Sequence, residues 1–88
     1  MPRRSLFIDG QEVFAFEFPT TNALQQVRSG ISADGYSIPL RNGRTAMVDW
    51  ISPPHFYSAG RLITLYLGDK KPTLLALASL LGQQFAGS

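Results

Sequence analysis

Cysteine is absent from the 88 residues and histidine occurs once, which excludes disulfides, thiolate metal sites, cysteine nucleophiles and multi-histidine clusters within one chain. Charge is scarce as well. Eight Lys and Arg stand against six Asp and Glu, a net of +2, and a field that weak does not by itself argue for nucleic acid. No run approaches the roughly 18 apolar residues of a membrane span, and Met1-Pro2-Arg3-Arg4 does not open a signal-peptide core. The expectation is a soluble cytoplasmic protein with no cofactor and no metal. What the chain has in quantity is apolar: 44% hydrophobic and 11% aromatic residues, too much for disorder. Its length suits a single domain, 1–88, with 1–4 expected as a flexible basic tail. So short a domain buries only about 60% of its unfolded surface, so dimerisation would add stability it needs.

Leu6-Phe7-Ile8, Asp9-Gly10 and Val13 to Phe18 read as a β-hairpin, because Asp-Gly supplies the positive φ angles of a type I′ turn. Thr20, Thr21 or Asn22 can cap a short helix carrying Leu24, Val27 and Ile31 on one side, with Gly30 near its end. Tyr36 to Leu40 and Thr45 to Ile51 flank Asn42-Gly43, a second hairpin signal. Ser52-Pro53-Pro54 interrupts backbone donation and reads as an extended connection. Arg61 to Leu67 reads as a central strand, and Thr73 to Phe85 as the main helix, capped by Asp69 or Thr73. The order is ββαβββα. The expected architecture is an α/β (α+β) two-layer sandwich: a mainly antiparallel five-stranded sheet with both helices on one face.

A two-residue turn at Asp9-Gly10 pairs Ile8 with Gln11 and Leu6 with Val13. Leu6, Ile8, Val13 and Ala15 then share one face, and Phe7, Phe14, Phe16 and Phe18 the other. Both faces are apolar, which suggests that both are covered. The last helix repeats the excess: Leu74, Leu77, Ala78, Leu81 and Phe85 form one stripe, and Leu75, Ala76 and Leu80 a second beside it. Such a surplus is either apolar surface left bare, as many proteins leave it, or an interface with a partner or a second copy.

Several motifs stand out against that background. Phe14, Phe16 and Phe18 alternate as do the rings on which RNA-recognition sheets stack bases, but the basic-Gly lead is missing and the element order differs, so core packing accounts for them. Arg41 and Arg44 flank a turn where like charges oppose each other, a strain that a phosphate or acidic partner would relieve. Gly68-Asp69-Lys70-Lys71-Pro72-Thr73 runs from strand into helix, where free backbone donors attract anions, but it is not a Walker A loop. His55 with Ser52, Ser58 and Asp49 has the residue types of a hydrolase triad without a nucleophile elbow. Pro53-Pro54-His55-Phe56-Tyr57 is alternatively a stiff aromatic docking loop or a loop whose rings cap the core.

The functional expectation is a non-enzymatic module that binds and occludes a surface on a larger protein, as a homodimer. Leu75, Leu80, His55, Phe56 and Tyr57 are its partner-binding candidates. Compact cofactor-free chains of this kind serve phages and plasmids as inhibitors of host systems, anti-CRISPR proteins among them; size and composition alone prompt that reading. The alternative is a weak nucleic-acid or nucleotide-phosphate binder using Arg41, Arg44, Lys70 and Lys71, together with Arg3, Arg4 and Arg61.

Overall fold

The computed structural model describes residues 3–8, 10–39 and 44–87. Its elements are β1 (Arg3–Ile8), β2 (Gln11–Glu17), α1 (Thr21–Gly30), β3 (Ser37–Pro39), β4 (Thr45–Met47), β5 (Pro54–Ala59), β6 (Leu62–Leu67), α2 (Lys71–Leu81) and β7 (Ala86–Gly87). Five strands form one antiparallel sheet in the order β1-β2-β6-β5-β7, and β3 and β4 form a separate two-stranded ribbon. The α+β class, the antiparallel sheet and the expected succession of strands and helices hold in outline. Among the described residues no helix is long and apolar enough to cross a membrane.

The first hairpin has the expected register, Ile8 opposite Gln11 and Leu6 opposite Val13. Gly10 takes φ +79°, the left-handed region that its lack of a Cβ allows. Asn42-Gly43 lies outside the described residues, but the strands it joins pair antiparallel, Ile38 opposite Ala46. Arg3 and Arg4 are not tail: they begin β1, opposite Phe16 and Ala15. Thr20 caps α1 with its hydroxyl, accepting from the Ala23 amide at 3.1 Å.

Several features depart from the sequence reading. The second hairpin, expected within the main sheet, forms the separate ribbon β3–β4, and α2 follows Lys70 without a side-chain cap from Asp69 or Thr73. Residues 54–59 are not a connection but a strand, joined to β6 by the two-residue turn Gly60-Arg61. Pro54 fits there because its missing donor lies at the strand start. The main helix ends at Leu81 rather than Phe85. Gly82 at φ +86° turns the chain, the Phe85 amide donates to the Phe56 carbonyl, and Ala86–Gly87 adds a fifth strand beside β5.

The helices also lie on opposite sides of the sheet, so the architecture has three layers instead of two. Phe56, Ile63 and Leu65 pack with Phe18 and Leu24 beneath α1, with Ile38 and Trp50 from the ribbon side joining them. Val13, Tyr57 and Tyr66 pack with Leu77 beneath α2, flanked by Ile8, Leu74 and Leu81. Strand alternation dictates this division. The central strands β2, β5 and β6 are apolar on both faces, and one helix per face covers them.

Candidate interaction surface

On α2, Thr73 and Leu77 face the sheet without exposed surface, while Leu75 and Leu80 are each 70% exposed. A helix turns about 100° per residue, which sets Leu75 and Leu80 about 140° apart, at the two edges of an arc that holds Ser79 and Ala76 between them. No ionisable side chain follows Lys71 in the sequence, so this flank has no charge of its own to solvate it. Leu75 and Leu80 are thus the two expected docking residues that reach the surface.

His55, Phe56 and Tyr57 do not. They sit at 6%, 3% and 3% exposure in β5, between β6 and β7, and cannot serve as anchors on a loop. Phe56 belongs to the α1 layer, against Trp50 and Phe85 at ring separations of 6.5 and 6.0 Å. Tyr57 belongs to the α2 layer, where burial raises its phenol pKa above the ordinary 10.0. The alternation Pro54, Phe56, Ser58 against His55, Tyr57, Ala59 was the available strand signal, masked by the paired prolines.

His55 stacks on Tyr66 at 6.0 Å. Its Nδ1 lies 2.8 Å from Gln84 Oε1 and its Nε2 lies 2.9 Å from the Gly68 carbonyl. Both ring nitrogens thus have partners within the fold. Which nitrogen donates depends on the tautomer of the ring. The triad residue types do not converge. Ser58 points to the opposite sheet face and accepts from Arg28 at 3.1 Å, and Asp49 is exposed. Among the described residues no group of three metal-ligating side chains is found.

Among the described residues the basic candidates do not gather into one patch. Arg4 and Arg61 lie toward one end of the sheet, where Arg4 approaches Glu17 at 4.0 Å and Arg61 donates to the Pro19 carbonyl at 3.1 Å. Lys70 and Lys71 are exposed at the other end, at the start of α2. Arg44 is exposed just before β4, and Arg41 lies outside the described residues. A cation that sequence reasoning passed over, Arg28, is half-buried with its guanidinium 4.7 Å from the Phe85 ring centre. It stands in the last turn of α1, where a positive charge offsets the helix dipole.

Beneath α1 a cavity of about 120 Å³ is walled by Phe16, Val27, Ile31, Trp50, Phe56 and Ile63 among others, all apolar. Further apolar side chains stand outside the layers: Phe7 at 72%, Met47 at 77% and Ile51 at 95% exposure. No protein-family model matches the chain, and no curated protein or solved structure is significantly similar to it.

Proposed function

We propose that this chain is a non-enzymatic protein-interaction module that binds and occludes a surface of a larger protein, with the uncharged flank of α2 as its docking surface. The observation that carries the reading is the pairing of Leu75 and Leu80, each 70% exposed, with the absence of any ionisable side chain beyond Lys71. A helix facing only water gains from charged residues on its outer side, and this one has none. Large exposed apolar side chains at the two edges of a neutral helix arc suit a groove that wraps that side of the helix. Occlusion requires only shape and apolar contact, and a role that suits such a surface is that of a small inhibitor of a host system carried by a phage or plasmid. The phosphate-binding alternative draws less support from basic residues divided between two ends of the sheet.

Capture with the intact chain in an extract of its source cells, compared with Leu75→Lys/Leu80→Lys, tests the proposal. A partner retained at high salt and lost with the double variant is the expected result, because apolar docking is indifferent to screening. A partner shed by salt and retained by the double variant contradicts it and favours phosphate or acidic contacts.

A further inference from the structure

Strand β1 forms one margin of the five-stranded sheet, and among the described residues nothing pairs with its outer edge. The other margin, β7, is only two residues long, a length that leaves little to pair with. β1 offers six residues and no proline.

The phase of its hydrogen bonds follows from the register. Ile8 and Gln11 flank a two-residue connection and therefore exchange hydrogen bonds, so Arg4, Leu6 and Ile8 bond to β2. The backbone N–H and C=O groups of Ser5 and Phe7 then point to the open side. An independent hairpin gives the same phase. Ala59 and Leu62 flank Gly60-Arg61, and carrying that alternation across β6 and β2 returns Val13 and Ala15 as the residues bonded to β1. Leu6 and Phe7, at 42% and 72% exposure, stand on the two faces of this edge.

We propose that a second copy of this chain pairs along this edge, β1 against β1, antiparallel about a two-fold axis normal to the sheet at Leu6. Such an axis keeps like faces together, so Leu6 meets Leu6 of the second copy and Ser5 exchanges hydrogen bonds with its Phe7. Charge narrows the registers, and the meeting of the two part-exposed Leu6 side chains favours this one. A parallel approach, or a register centred on Arg4, would set the exposed Arg4 against its own copy, whereas centring on Leu6 sets it opposite Ile8. The pairing involves neither Leu75 nor Leu80, so it stands or falls separately from the docking reading.

Sedimentation of the full chain over a broad concentration range, with backbone hydrogen exchange at both extremes, tests it. The expected result is a two-chain species that grows with concentration, with exchange at the Ser5 and Phe7 amides slowed by about tenfold or more. Phe7→Pro removes a donor used only between copies and is expected to keep its circular dichroism while remaining single. A wild-type chain that stays single overturns the proposal, as does a dimer whose Ser5 and Phe7 amides exchange as fast as in the monomer. So does a folded Phe7→Pro chain that still dimerises. Should Phe7→Pro fail to fold, the wild-type exchange pattern decides alone. A dimer abolished by Leu75→Lys/Leu80→Lys but kept by Phe7→Pro places the contact on α2 and equally overturns the edge.

Discussion

The Thr73 hydroxyl donates to the Ile8 carbonyl at 3.3 Å, joining the first turn of α2 to the end of β1. Thr73 has no exposed surface, so this contact fixes the rotation of the helix about its axis. Leu75, two residues on and about 200° around, is thereby turned to the outside. The exposure of Leu75 is a consequence of how the helix is anchored, and no partner is needed to explain the orientation, only to cover it.

That anchoring predicts a sharp contrast within one helix. Leu77→Ala, at a site with no exposed surface, is expected to cost about 2–5 kcal/mol of stability. Leu75→Ala is expected to change it by less than about 0.5 kcal/mol. Urea unfolding of both variants measures the difference, and equal losses would place Leu75 in the core.

Thr64 lies in β6 at 1% exposure, and among the described residues its Oγ1 has no hydrogen-bond partner. Replacing that hydroxyl by a methyl removes a desolvated polar group while keeping the β-branched shape. Thr64→Val is expected to raise unfolding stability by about 1 kcal/mol, read as a higher melting temperature. A lower one would mean that the hydroxyl has found a partner, such as a water.

Tyr57 gives the fold an alkaline limit. Burial favours its neutral phenol and raises its pKa above 10.0 in the folded chain. The folded state therefore holds the proton more tightly than the unfolded one. Its contribution is complete below pH 10.0 and declines as pH rises from there through the raised value. Tyr57→Phe is expected to flatten this alkaline arm in a pH series of thermal melts, and an unchanged arm would assign it to other groups.

Much of the fold was legible because local signals were strong. The Asp-Gly pair in the sequence predicts the register in which β1 pairs with β2, and Thr20 stands where α1 needs a cap. The helix start near Thr73 and the strand before Gly68 were equally plain. What escaped were features decided by tertiary pairing. Pro53-Pro54 reads as a break until β6 supplies a neighbour, and Gln83-Gln84-Phe85 continues a helical pattern until Gly82 turns the chain toward Phe56. The division of the helices between two faces was implied by Val13 and Ala15 on one side of β2 and Phe14 and Phe16 on the other. Of the docking candidates, Leu75 and Leu80 followed from helical periodicity, whereas His55, Phe56 and Tyr57 were misplaced along with their strand.

The docking account is tested most directly by placing a photo-crosslinking residue at position 75, and separately at the exposed Ser29 on α1, in the chain expressed in its source cells. The account predicts one discrete adduct with a larger protein from position 75 and none from position 29. The same product from both positions, or no product from position 75 beyond background, would contradict it.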